Sequence, residues 1–540
     1  MDRKKTAFPP DTFGELGIFG APFGDVIAGG ISYLLLDQFG TNRAAGAVNG
    51  TPAEPTGQTR TVTDTNSKLQ VTNDKASFAT GGAGNGDPGL WYPQQPRQAG
   101  LILIGELVLT ANAFEFGWDT DQSGLVAFAV RPIIGNSLGI NDNGSTKAVG
   151  VQPSGVGASM TPIVVLRGTG AWYFVKGDVY GTKFLLIWVS STSSANAFPG
   201  MANVGTTSVF TADNVRIPLN ITYIPQPLAY DTFTRANGAL GSTEATGPDS
   251  QALSALAWGF TSGIWTVSSN AAIATATPGA DAIVNGGFGA DTDWTKGSGW
   301  TIAAGVASAS AASSTLTQTT PPLTVGRWYQ VQYTISGFSA GLVGARVGSK
   351  QLPAHGSNNT FAEYAWADTT AFLMSASSSF TGNLDNISAK VLVTAELFAS
   401  VLVSTADVIA DVAVTLFGGT SGRPAGLVLN LDSTSNPQNF ILCYLDGRGN
   451  CVLDECVAGT YTNKITTAIT YSAGAVLRVI RDGTSCRVFY NGAAVSTVQT
   501  MTANTNTRHG LFSVDSASSL DNFTIWPRGT SSEYVTLDQY

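Results

Sequence analysis

The chain has 540 residues, enough for several domains of about 150 residues each. Its 28 Lys and Arg against 37 Asp and Glu leave a net charge of −9, which excludes nucleic acid as the main partner because phosphate binding needs clustered cations. Only 12% of residues are charged while 43% are hydrophobic, and 62 glycines sit among abundant Ser, Thr and Ala. Long helices need Glu, Lys, Arg and Leu on their outer faces, so this is an all-β composition.

Residues 1–32 mix Phe8, Pro9, Pro10, Phe13, Phe19, Pro22 and Phe23 without helical or strand period. Such a segment makes no core of its own, and its aromatics are expected to dock on a partner. Arg3–Lys5 precedes apolar residues, but Pro9, Pro10, Asp11 and Glu15 interrupt any signal-peptide core. The stretch 16–36 carries Asp25 and several glycines, so no membrane span is expected.

Residues 33–227 read as one β-domain, with strands expected at 68–78, 101–110, 113–118, 125–134, 163–167, 171–176, 183–190 and 215–223. Ile224-Pro225-Gln226-Pro227 reads as a stiff linker. The run DTFTRANGALGS at 231–242 then echoes DQFGTNRAAGAVNG at 37–50, and a repeated opening implies a repeated domain. The second copy holds only a few strands before a new pattern starts near Ile283. That pattern closes on Leu384-Asp385-Asn386-Ile387, after which strands resume and close on Leu520-Asp521-Asn522-Phe523. Asp482-Gly483 and Asn491-Gly492 mark tight hairpins in this last part. The economical arrangement is an insertion: 228–280 with 395–528 as host, 281–394 as guest, and 529–540 as a polar tail.

DTFTRANGALGS, the strand Trp265–Asn270 and the ending SLDNFTIW resemble the concanavalin/laminin-G-like jelly rolls of bacteriophage virion proteins and some bacterial surface proteins. VNGGFGADTDWTKGSGW, TTPPLTVGRWYQVQYTISG and FTGNLDNISAKVL resemble jelly-roll carbohydrate-binding modules. The resemblance implies tandem antiparallel β-sandwiches, the second interrupted by an inserted jelly roll. It also implies a non-enzymatic virion appendage, such as a tail or head fibre, assembled in the host cytoplasm. Residues 1–32 would contact other virion proteins, the chain would be a homo-oligomer (a trimer if a fibre), and the jelly rolls would touch cell-surface glycan. The alternatives are a bacterial extracellular adhesin and a glycoside hydrolase or lyase of concanavalin-like fold.

For glycan binding the resemblance nominates the rings of Trp294, Trp300, Trp328 and Tyr333, with Gln330, Gln332 and Asn383 as polar partners; core packing is the competing role for such rings. It also nominates Asp385, Asp291 and Asp521 for a structural calcium, although the acidic residue usual after the opening Gly-Phe is Gly289 here. No other cofactor is implied. Asp119–Gly124 imitates half a calcium loop, but Val130 stands where the bidentate acid belongs. Cys443, Cys451, Cys456 and Cys486 are expected as buried thiols, with Cys443 opposite Cys451 as the pair near enough to bridge. His355 and His509 lie in no nucleophile or metal motif, and Glu106 and Glu115 lack the partner spacing of a glycosidase.

Overall fold

A computed structural model describes residues 26–28, 31–79, 87–95, 97–119, 128–133, 138–143, 145–150, 152–180, 182–190, 198–219, 223–261, 264–416, 422–528 and 537. Residues 120–124 of the Asp119–Gly124 loop and nearly all of the 529–540 tail lie outside them, as do residues 1–25 of the expected docking segment. Val26–Ala28 and Ile31–Asp37, however, form a hairpin of the first sheet, so the folded part begins inside that segment.

The fold is all-β, and its strands pair antiparallel in tandem sandwiches, the second interrupted by the third. Strands from Val26 to Pro218 build the first unit. The host is two facing sheets that share one core, and it draws strands from both sides of the insert. The guest spans Pro278 to Leu392. The 101–110 and 113–118 stretches run as a single strand, Ile102–Asp119, paired along Phe198–Pro218 through three register shifts. Such bulges let one long strand bend from layer to layer. The guest uses the same device in Trp328–Val347 and Phe372–Leu392. There Gly341, at φ 74°, has no room for a Cβ, which would lie 2.4 Å from the Phe380 amide nitrogen.

All three units share one end-to-end construction. Each opens on a Phe in the left-handed region: Phe39 (φ 50°), Phe233 (φ 53°) and Phe288 (φ 52°). Each then makes a short hairpin whose two turn residues both have positive φ, namely Asn73-Asp74, Ser269-Asn270 and Ala304-Gly305. The second residue of the returning strand is a buried alanine, and it faces the residue before an Asp-Asn pair in the closing strand. The partners are Ala76 with Ala212, Ala272 with Leu520, and Ala307 with Leu384.

In each closing strand the Asp carboxylate accepts the next amide at 2.7 Å and the Asn is left-handed, at Asn214 (φ 47°), Asn386 (φ 53°) and Asn522 (φ 52°). Two residues there oppose one on the neighbouring strand, the signature of a β-bulge. Asp37 pairs with Val215 and Asp231 with Phe523, in both cases the residue after Asp-Asn. The guest repeats this with the Ile387 amide donating to Gly286 O at 2.9 Å. The first unit therefore has its own ending, Ala212-Asp213-Asn214-Val215, hidden in sequence because alanine replaces the leucine. Asn is the side chain best suited to this left-handed position after glycine. Asn214→Ala, Asn386→Ala and Asn522→Ala should each cost about 1–2 kcal/mol in urea unfolding, while the glycine variants should not; a harmless alanine would refute the device.

The units are joined by packing. Ile409, Ile480, Phe489 and Trp526 of the host belong to the core of the first unit. Trp188 meets Phe489 edge-on at 4.9 Å, and Trp172 meets Trp526 at 6.2 Å. On the opposite host sheet, guest residues Trp328, Tyr364 and Trp366 pack among Phe440, Tyr444, Tyr461 and Phe512.

Candidate functional site

The seven residues nominated for sugar binding fall in three places. Trp294, Trp300 and Tyr333 are buried in the guest core. Trp294 donates to Asn285 O at 3.0 Å and rests on Phe288; Trp300 rests on Phe380; Tyr333 faces Phe361. Strand alternation explains the rest. Tyr329, Val331 and Tyr333 point into the core, so Trp328, Gln330 and Gln332 point out, and that outer face meets the host. Trp328 is 1% exposed between Tyr444 and Phe512. Gln330 donates to the Tyr364 hydroxyl at 2.8 Å, which donates to Asp515 at 2.9 Å. Gln332 is exposed, and Asn383 accepts from Ser308 at 2.8 Å. The four rings are thus core and joint, with no free face for a sugar.

The three acids nominated for calcium are otherwise engaged. Asp291 pairs with Lys296, Asp385 accepts the Asn386 amide, and Asp521 accepts both amides of Asn522. Among the described residues no three His, Cys, Asp or Glu side chains gather as a metal site. The hairpin register sets Cys443 opposite Leu453 and Cys451 opposite Leu445, which corrects the expected register, while the Cys443 and Cys451 thiols still interact side by side. All four thiols are free and buried, and burial pushes Cys456 and Cys486 up to about 12.

Both histidines have structural partners. His355 Nε2 lies 2.8 Å from Glu363, with its ring stacked on Phe361. His509 is fully buried, which lowers it to about 4; its Nδ1 accepts the Asn430 amide and its Nε2 faces Thr405 O at 3.1 Å. Glu106 pairs with Arg216, and buried Glu115 with Arg131 and Asn141.

Among the described residues, one receptacle is the cleft where the first unit meets the host. It encloses about 570 Å3. Strands Leu138–Asp142 and Leu185–Val189 bring Asp142, Trp188 and the adjoining Ser190 from one side. Strands Val408–Thr415, Ala475–Asp482 and Ser519–Pro527 bring Asp411, Arg478 and Trp526 from the other. The floor is aromatic and buried, with Trp188, Phe489 and Trp526. The rim is polar, with Lys147, Tyr230, Asn491 and Asn522.

The charges of this cleft are fixed by short contacts. Arg478 holds Asp411 through two bonds of 2.7 Å, donates to Val189 O across the joint, and stacks 4.1 Å over the Trp188 ring. Arg167 pairs with Asp249 at 2.9 Å and donates to Ser190 O. Asp142 accepts from Ser190 Oγ and from Trp188 Nε1. Sequence reasoning missed the cleft because its walls come from strands far apart in the chain, each read there as sandwich lining.

No family model matches the chain, and no curated protein matches it. Among solved structures it is similar to a Bacillus subtilis carbohydrate-binding module, CBM66, at 12% identity and TM-score 0.18, over 24% of this chain and 79% of that one. It is also similar to the Caenorhabditis elegans galectin LEC-6, at 12% identity and TM-score 0.19, over 23% of this chain and 88% of that one. A third, SCLam, a non-specific endo-β-1,3(4)-glucanase of family GH16, gives 12% identity and TM-score 0.24 over 37% of this chain and 96% of that one.

Proposed function

We propose that this chain is a non-enzymatic glycan-binding protein displayed on a particle surface, as a bacteriophage fibre, spike or decoration. The observation that carries the binding reading is the cleft between the first unit and the host. It has the size and the few directed polar groups that small-ligand sites use. The non-enzymatic reading draws on the commitment of the described histidines and of Glu106 and Glu115 to structural bonds. The virion assignment rests on the sequence resemblance, with residues 1–25 as the docking segment. Single sugar contacts are weak, and oligomeric display raises their avidity by 10²–10⁴ through effective concentration alone.

The test uses the full chain on a glycan array, together with peptide mapping of purified virions from the source. Saturable binding to at least one host-surface glycan, with no release of reducing ends from it, is the expected result. Absence of the chain from any particle removes the display reading. Reducing-end release abolished by one carboxylate substitution replaces binding with hydrolysis.

A further inference from the structure

We propose that the cleft between the first unit and the host takes an acidic saccharide, a sugar ring bearing a carboxylate that pairs with the Lys147 ammonium. This rests on the glycan-binding reading and adds the ligand's charge and contact point.

The argument comes from which charges in the cleft are already spent. Its walls carry Lys147, Arg167 and Arg478 against Asp142 and Asp411, and Asp249 beside Arg167 brings the charges level. Arg478 is neutralised by Asp411 and Arg167 by Asp249, each at 2.9 Å or less. Asp142 has both oxygens occupied by neutral donors, Ser190 and Trp188. Asp142 keeps its charge while its oxygens already accept these donors, and among the described residues Lys147 is the one cation of the lining without an ion-pair partner.

Lys147 differs from its two companions. Its Nζ donates to Ser145 Oγ at 3.1 Å and to Gly492 O at 3.0 Å, both neutral acceptors. An ammonium has three donors, so one remains for a ligand. Nζ also sits 5.7 Å from the centroid of the Trp188 ring, at the boundary between aromatic floor and polar rim. Burial lowers its pKa, which reports an ammonium partly stripped of water; Asp142 opposes that shift and the Arg478 charge reinforces it. A partly desolvated cation gains more from an anionic partner than an exposed one does. Tyr230 completes the rim. Its phenol is pushed up by burial and by Glu244, Asp521 and Asp249, so it stays a hydroxyl donor that a carboxylate can accept from.

The experiment is calorimetric titration of the full chain, at fixed moderate salt, with a uronate-containing oligosaccharide and with its methyl ester as the neutral counterpart. The acid form should bind at least tenfold more tightly. Lys147→Gln should erase that preference and Lys147→Arg should restore most of it. Val476→Trp, at a position 40% exposed on the rim, should block both ligands by filling the cleft without touching a core. Unfolding midpoints of all three variants check that each is folded. Equal affinity for acid and ester overturns the proposal while leaving the glycan reading intact. Acid-selective binding that survives Val476→Trp overturns it by placing the site elsewhere. Tight binding of inorganic sulfate that competes fully with the oligosaccharide, with no contribution from the sugar, also overturns it. No binding of any glycan, charged or neutral, here or on the array, removes the underlying function instead.

Discussion

Replacing Asp37 by alanine should destabilise the chain by about 3–5 kcal/mol, the cost of leaving one partner of a buried ion pair alone. Asp37 Oδ1 accepts from the Phe39 amide at 3.1 Å and from Arg60 Nη2 at 2.5 Å; Oδ2 accepts from Arg60 Nε at 2.7 Å and from the Tyr92 hydroxyl at 2.9 Å. Both charged side chains are wholly buried. Without the carboxylate, the Arg60 guanidinium has no water to turn to. The second unit builds the same constellation around Asp231, with the Phe233 amide, both Arg235 terminal nitrogens and Trp258 Nε1 as donors. There the arginine comes from four residues along the chain rather than from a later loop, and its side chain is 28% exposed. It can rehydrate, so Asp231→Ala should cost less, roughly 1–3 kcal/mol for the buried donors left behind. Urea unfolding of the two variants decides the point. Equal losses would mean that burial of the cation is not what sets the cost.

Trp328→Ala should cost about 3–5 kcal/mol, the usual range for emptying a large buried ring site, and should leave glycan affinity unchanged. The ring fills the joint between guest and host, and its Nε1 donates to the Tyr461 hydroxyl at 3.2 Å. Trp328→Phe should recover most of the stability, since it retains aromatic volume and loses the one hydrogen bond. The measurements are chemical denaturation and glycan titration on the same samples. A variant with wild-type stability and weakened glycan binding would return the ring to the role its sequence context implied.

How far the sequence is legible depends on what each residue reports. The all-β class follows from composition, and the turn at Asn491-Gly492 stands where expected because positive φ leaves few alternatives at a two-residue turn, whereas the turn expected at Asp482-Gly483 falls one residue later, at Gly483-Thr484, with Asp482 paired to Ser485 in the strands. The opening Asp-x-Phe was visible as a repeat, yet its purpose was not: Arg60 and Arg235 reach equivalent carboxylates from unrelated positions. The third closing bulge escaped notice because one leucine is an alanine, although backbone geometry and register are the same. Aromatic residues were the least legible. Period-two alternation tells which face Trp328 occupies, but whether that face meets solvent or another module is decided by tertiary packing. The cleft is the extreme case, since no local pattern can report a cavity that exists only between two folded units.

The pairing of opening with closing strands has a mechanical meaning. Tyr33 lies opposite Pro218, Ala229 opposite Ile525, and Pro278 opposite Leu392. Antiparallel hydrogen bonds run across the strands, so tension applied at the two ends of a unit strains one pair at a time, as a zipper opens. A load entering through the cleft takes another route. It falls on Arg478, Arg487 and Arg528, which bond across the joint to Val189, Gly150 and Leu186, and on the aromatic floor beside them. Those contacts share the strain in parallel, so the molecule resists pulling at its joint and yields to pulling at its ends.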